Sequence, residues 1–312
     1  MEIKFIRESA DFEKLIKSVC NLILTAFPGE VRAIYLLGSR AAGGGLPTSD
    51  IDLAVVFKGP FVEERDREVR EFAKSLDRLS PVMLDVTLLA EDEARQGIRP
   101  YLRLGRLLTG TEILAQCPLK PAPALIGFYT YTALFFMWVI RGRPVELTYP
   151  LEYPSAGGFY RGYDVRGVVT GENEFRPGFN TFVNLIASIA NFRLATLAGE
   201  FIPSKSRTVE QYQLRLPNDP WQGLVEDVFD QGRDRWGGRE PESESGRARL
   251  ARRCREALAF ENECFGTCLL NLPALMAVKD GELNRWLQNV LRRVRSASPA
   301  HAAAIAAALG VR

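Results

Sequence analysis

Two short apolar runs, and the polar residues between them, constrain this chain more than any other feature. Val31 to Leu37 is rich in strand formers and stops at Gly38-Ser39; ten residues later Asp50-Ile51-Asp52 opens a second run, closed by Lys58-Gly59-Pro60. Alternate side chains of a strand share a face, about 6.6 Å apart along the chain. Asp50 and Asp52 therefore stand together, while Ile51 and Leu53 point the other way and can enter a core. Paired carboxylates repel each other and are costly to bury unless a cation sits between them. Hard divalent ions want such oxygens, and Mg²⁺ commonly combines one or two carboxylates with substrate phosphates.

Asp85 adds a third acid, inside the otherwise apolar run Val82 to Leu89. If that strand neighbours the Asp50–Asp52 strand, the three carboxylates converge, and Asp85 is either a metal ligand or the base that takes a proton from an attacking hydroxyl. Gly38-Ser39-Arg40 supplies a complementary element. Glycine lets the backbone approach a ligand closely, a helix starting there favours phosphate, the Ser39 hydroxyl can donate to a phosphate oxygen, and Arg40 adds charge. D-x-D and Gly-Ser are each common by chance. The ordered set of strand, Gly-Ser, Asp-Ile-Asp and a lone strand Asp is what is specific. The bland alternative is a loop with turn aspartates and an accidental Asp85.

The chain has 312 residues, enough for two domains. Residues 1–116 read as helix, strand, strand, helix, strand, helix: apolar spacing gives helices over 12–27 and 62–79, and from about Glu91 to Gly110. That is an α/β (α+β) domain with a short mixed sheet. Cys117 to Pro123 holds three prolines and reads as a linker. The expected division is 1–117, a catalytic domain, and 118–312, a mostly α-helical domain. Helices are expected at 124–140, 179–199, 207–215, 221–236, 247–271, 273–293 and 299–309. An irregular insertion, a long loop or hairpin, is expected at 142–178.

Composition excludes several classes. Forty basic against thirty-eight acidic residues lack the excess of a dedicated nucleic-acid binder. One histidine, His301 near the C-terminus, argues against Ser-His or Cys-His chemistry. The five cysteines form no C-x-x-C pair, so buried free thiols in a reducing cytoplasm are expected, with Cys264 and Cys268 on one helix face. The N-terminus lacks a signal-peptide pattern. The best membrane candidate, Ala122 to Ile140, carries Pro123, Thr130 and Thr132 and reads as a core helix, so no membrane partner is expected.

Leu37-Gly38-Ser39-Arg40-Ala41 with Ser49-Asp50-Ile51-Asp52-Leu53 resembles the signature of the polymerase-β-type nucleotidyltransferase superfamily, over roughly residues 30–90. The resemblance implies that Asp50 and Asp52 bind two Mg²⁺ ions, that Gly38-Ser39 grips a nucleoside triphosphate, and that a third acid, Asp85 by position, completes the site. Leu197-Ala198-Gly199-Glu200-Phe201-Ile202-Pro203-Ser204-Lys205, then Leu216-Pro217, is similar to the helical domain of aminoglycoside (streptomycin/spectinomycin) adenylyltransferases. That likeness implies ATP as co-substrate, Lys205 reaching the triphosphate across a cleft, and a small hydroxylated acceptor. The acid matching Asp85 is usually a glutamate in that family and serves as base. The insertion 142–178 has no counterpart there.

The expected activity is thus transfer of a nucleoside monophosphate, AMP with ATP as co-substrate, to a hydroxyl. One rival is a toxin-like transferase acting on tRNA or protein, for which the arginines at 247–255 and 292–295 offer an RNA-binding patch. A salt-bridged helix face is the favoured reading of the first run. Another rival is a non-catalytic nucleotide-binding or antitoxin protein; the retained carboxylates argue against it. Glu261 in the helical domain reads equally as a binder of a cationic acceptor or as a core hydrogen-bonding group. Asp164, Glu172 and Glu174 read as exposed loop acids.

Overall fold

The computed structural model describes residues 9–41, 43, 50–61, 63–80, 83–164, 168–169, 175–176, 178–230, 237–278 and 280–310. Val62, Val82, Glu172, Glu174, Ser49 and most of the Gly-rich stretch 41–49 lie outside these residues. The chain divides into two compact units, Met1–Lys120 and Pro121–Arg312.

The first unit runs α1 (Ser9–Ala26), β1 (Val31–Leu36), α2 (Gly38–Ala41), β2 (Ile51–Phe57), α3 (Glu63–Leu79), β3 (Leu84–Ala90), α4 (Glu91–Gln96) and β4 (Arg106–Gly110). The four strands form a mixed sheet in the order β3-β2-β1-β4. β1 is antiparallel to β2 and to β4, and β2 is parallel to β3. Strand alternation sorts the side chains. Ile51, Leu53, Val55 and Phe57 pack with Ile16, Val19 and Ile23 of α1, Phe27 just beyond it, and Val69 and Leu76 of α3. Ala54 and Val56 pack on the opposite side with Ala94, Ile98 and Leu102. Burying each large side chain stabilises by roughly 1.5–3 kcal/mol, so a strand between two such layers is fixed firmly. Asp52 is the one position of β2 that is not buried.

The helix expected from Glu91 to about residue 110 is corrected. It ends at Gln96, and Arg106–Gly110 is an edge strand of the sheet. Gly97 has φ 152°, a region that disfavours L side chains. Pro100 then opens a single 3-10 turn, Pro100–Leu104.

The second unit is built on α5 (Ala122–Ile140), α6 (Asn180–Arg193), α7 (Thr208–Arg215), α8 (Gln222–Asp227), α9 (Glu244–Met276), α10 (Gly281–Leu291) and α11 (Pro299–Leu309). α6 continues into a π-helical turn, Leu194–Ala198. Two small strand pairs complete it: β5 (Leu147–Tyr149) lies parallel to β8 (Val294–Ser296), and β6 (Val168–Val169) antiparallel to β7 (Phe175–Arg176). The break expected at residue 272 is also corrected. α9 runs through Pro273 to Met276. Proline removes one helical hydrogen bond, but Leu272 and Leu275 are both buried, and that packing favours one more turn. The 273–293 helix accordingly begins only at Gly281.

Ala122–Ile140 and Asn180–Ala198 are long and apolar enough to cross a membrane, with mean hydropathy 1.5 and 1.3 and 50% and 67% of the respective windows buried in the protein. The first of them carries Thr130 and Thr132 within an unbroken helix. The Thr130 hydroxyl donates to Ile126 O at 2.9 Å and the Thr132 hydroxyl to Tyr129 O at 3.0 Å, so both are satisfied within the helix. All five cysteines are free and buried, and the Cys264 and Cys268 sulfurs lie 3.8 Å apart on one face of α9.

Candidate active site

β2 and β3 bring the three expected carboxylates onto one side of the sheet. Asp52 and Asp85 are register partners in the parallel pair, one step after Ile51 and Leu84. Partners in a parallel ladder share a face, and Asp50, the residue just before β2, is close enough to Asp85 for its charge to raise the Asp85 pKa. The entry to β2 is held by backbone bonds: Ile51 N–H donates to Met83 O at 2.9 Å and Leu37 N–H to Asp52 O at 2.7 Å.

The end of β1 meets this face. Gly38 has φ +67°, and a Cβ built on it would overlap Asp52 Oδ2 and stand 3.1 Å from its Cγ. Only glycine lets the turn lie this close to the carboxylate. Ser39 follows, half-buried, in the single helical turn α2. Arg40 Nε donates to Asp50 O at 3.2 Å, and its guanidinium stands 4.4 Å from the centroid of the Phe12 ring on α1. Burial lowers the Arg40 pKa from its ordinary value, against the attraction of Asp50 and Asp52.

Asp85 is solvent-accessible, yet its carboxyl is pushed above the usual carboxylate range. Desolvation is the main cause, followed by the charges of Asp50 and Asp77; a hydrogen bond from Val86 N–H opposes them. Asp77, at the end of α3, accepts from Leu84 N–H at 2.9 Å and so fixes the start of β3. Asp85 also lines an open cavity of about 380 Å³ with Arg70, Lys74, Asp77 and Arg78. Phe12 and Asp77 contribute to this region without any local sequence signal, because both act through tertiary packing.

Three acids on one face, like-charged and in an oxygen-only donor set, fit a hard divalent cation. Among the described residues no three acidic, cysteine or histidine side chains gather closely enough to hold an ion by themselves.

Residues 13–103 match the family model described as nucleotidyltransferase domain. The matched span runs from within α1 through the turn before β4 and includes Gly38, Ser39, Arg40, Asp50, Asp52, Asp77 and Asp85, while Phe12 lies one residue before it. The first unit carries a nucleotidyltransferase domain. A comparison with curated protein sequences found no match. A crystal structure of spectinomycin adenyltransferase AAD(9) from Enterococcus faecialis with ATP and spectinomycin is similar with a TM-score of 0.44 and 11% identity, over 78% of this chain and 99% of that chain.

Lys205 belongs to the second unit, not to the nucleotidyltransferase domain. It is exposed in a 3-10 turn, Lys205–Arg207, and its Nζ donates to Asn184 Oδ1 on α6 at 2.6 Å. Glu261 is a core group: it is fully buried, accepts from Arg141 at 2.6 Å, and accepts from the Tyr163 hydroxyl. The arginine run of α9 is largely engaged. Arg249 and Arg253 pair with Asp227, Arg253 and Arg252 also with Glu256, and Arg247 donates to Glu242 O at 2.7 Å.

Proposed function

We propose that this protein is a Mg²⁺-dependent adenylyltransferase that moves AMP from ATP to a hydroxyl of a small molecule, in the cytoplasm. The carrying observation is the placement of Asp50, Asp52 and Asp85 on one face of β2 and β3, with Gly38 pressed against the Asp52 carboxylate. In this reading Asp50 and Asp52 hold two Mg²⁺ ions. When bound, Mg²⁺ neutralises the charge of the triphosphate and of the leaving pyrophosphate. The Gly38-Ser39 turn binds phosphate oxygens through its backbone and hydroxyl.

Asp85 takes the proton of the acceptor hydroxyl, and a carboxyl raised above its ordinary range suits that task. The acceptor oxygen then bonds to the α-phosphorus as the bond to the bridging α–β oxygen breaks, and pyrophosphate leaves. Lys205 is assigned to the triphosphate on the family resemblance. A small hydroxylated acceptor, aminoglycoside-like, rests on the same resemblance in 197–217. The first of the two arginine runs that suggest an RNA acceptor is turned inward in part, since Arg249 and Arg253 are committed to Asp227; in the second run Arg295 pairs with Glu146.

The test is calorimetric titration of ATP, then GTP, CTP and UTP, each with Mg²⁺, into the wild-type chain and the Asp50→Ala/Asp52→Ala variant. Metal-dependent ATP binding, abolished in the variant, is the expected result and opens a screen of acceptors with labelled ATP. Absence of binding by any triphosphate to folded wild type sinks the reading as stated.

A further inference from the structure

We propose that Arg40 is a positioning residue that sets Asp50, not a ligand of phosphate. The inference rests on the metal-binding reading above. Arg40 reaches back across the turn, and its Nε donates to the backbone oxygen of Asp50 at 3.2 Å. That oxygen belongs to the peptide that leads into β2, whose next N–H is already tied to Met83 O at 2.9 Å. Holding both sides of this peptide fixes the direction in which the Asp50 side chain leaves the backbone. The guanidinium lies over the Phe12 ring, so α1 braces it from behind.

The chemistry calls for arginine. Its planar fork stacks on an aromatic face while donating in its own plane; a lysine ammonium carries the same charge without that geometry. Charge alone makes the opposite prediction to positioning. A cation near Asp50 and Asp52 repels a metal ion, so on electrostatic grounds removing Arg40 tightens metal binding. If Arg40 orients Asp50, removing it loosens metal binding.

The experiment is Mn²⁺ titration of the nucleotide-free full chain, read by electron paramagnetic resonance, with circular dichroism confirming the fold of each variant. Wild type, Arg40→Gln, Arg40→Lys, Phe12→Leu and Asp50→Asn are compared, and binding of ATP in the presence of Mn²⁺ is measured on each. Positioning predicts that Arg40→Gln and Arg40→Lys both weaken Mn²⁺ binding by about tenfold, the lower end of the effect of losing a group that orients a ligand. Phe12→Leu shifts it in the same direction by less. Unchanged or tighter Mn²⁺ binding in Arg40→Gln overturns the proposal, as does full rescue by Arg40→Lys. Loss of ATP binding in the presence of Mn²⁺ in Arg40→Gln, with nucleotide-free Mn²⁺ binding intact, assigns the residue to phosphate instead. If Arg40→Gln does not fold, Arg40→Lys and Phe12→Leu decide. Wild type that binds neither Mn²⁺ nor ATP, or an Asp50→Asn variant that binds Mn²⁺ as wild type does, overturns the underlying reading as well, and is thereby distinguished from failure of the Arg40 inference alone.

Discussion

In the C-terminal unit, acids taken into the core are met by opposite charge. Glu261 is bonded to Arg141 and Tyr163, Asp219 to Arg193, and Asp227 to Arg249 and Arg253. In the N-terminal unit, the Asp85 carboxyl is raised by desolvation first and then by the charges of Asp50 and Asp77, with Arg70, Lys74 and Arg78 lining the cavity beside it. Opposite charges brought together specify how helices dock and ask for nothing more. Like charges gathered on one face weaken the fold unless something cationic joins them. Both regions hold acids beside polar partners, and the sign of the neighbours separates a structural network from a binding site.

The largest effect expected on that contrast is functional. Replacing Asp50 and Asp52 with alanine should lower AMP transfer by about a thousandfold, since several kcal/mol of charge stabilisation are lost and each 1.36 kcal/mol is tenfold. The metal-free thermal midpoint should hold or rise, because a repulsion goes with the acids. Labelled-ATP transfer and calorimetric melting on the same samples check both halves. A variant that loses stability along with activity would erase the distinction between the units.

The mirror experiment is Glu261→Ala. It strands Arg141, which is 9% exposed, without its buried partner, and should lower the free energy of unfolding measured in urea by about 3–5 kcal/mol. ATP binding by the folded fraction should be unchanged. Altered nucleotide affinity at full folding would move Glu261 from the structural group to the functional one.

The N-terminal face was readable in the chain because its parts are local. A strand's alternation puts Asp50 with Asp52, and a glycine ending one apolar run marks a tight approach. The partnership of Asp52 with Asp85 needed only two neighbouring strands. β4 was missed because 102–110 mixes leucines and arginines at spacings that also suit a helix; its identity depends on β1 as a partner. β5 pairs with β8 some 147 residues away by residue number, Leu147 with Val294, and neither run carries a local sign of it. Glu261 stayed ambiguous for the same reason: its partners Arg141 and Tyr163 are 120 and 98 positions distant. Arg40 read as a phosphate group from its place beside Gly-Ser, and nothing in that string announces a bond to Asp50 O or a stack on Phe12.

A smaller effect separates backbone strain from contact with the carboxylate. Gly38→Ala forces an L residue to φ +67° and drives a methyl into Asp52, whereas Gly142, at φ +75°, has nothing within 4 Å of a built Cβ. Gly142→Ala should cost about 1 kcal/mol, the strain alone. Gly38→Ala should cost about 2–3 kcal/mol and also weaken Mn²⁺ binding, because Asp52 must move. Equal costs in urea melts, with Mn²⁺ binding unaffected, would show that Gly38 does not press on the acid.

The finest test uses pH, where Asp85 and Asp227 should respond with opposite sign. The Asp85 carboxyl is raised above 3.8 by burial, then by Asp50 and Asp77. Between 3.8 and the raised value the native state binds more protons than the unfolded chain, so stability falls as pH rises through that window. Asp85→Asn removes the ionisation, and in chelator-treated protein it should raise the melting temperature at pH 7 and have a much smaller effect at pH 3. For Asp227, burial alone would push the carboxyl up, but the hydrogen bonds from Arg249 and Arg253 bring it below 3.8. Its contribution is present above 3.8 and is lost as pH falls through the lowered value. Asp227→Asn should therefore lower the melting temperature at pH 7, with the loss shrinking in acid. If Asp85→Asn instead lowers the melting temperature at pH 7, Asp85 is held by favourable partners, and the like-charged face that distinguishes the nucleotidyltransferase domain from its helical neighbour does not extend to β3.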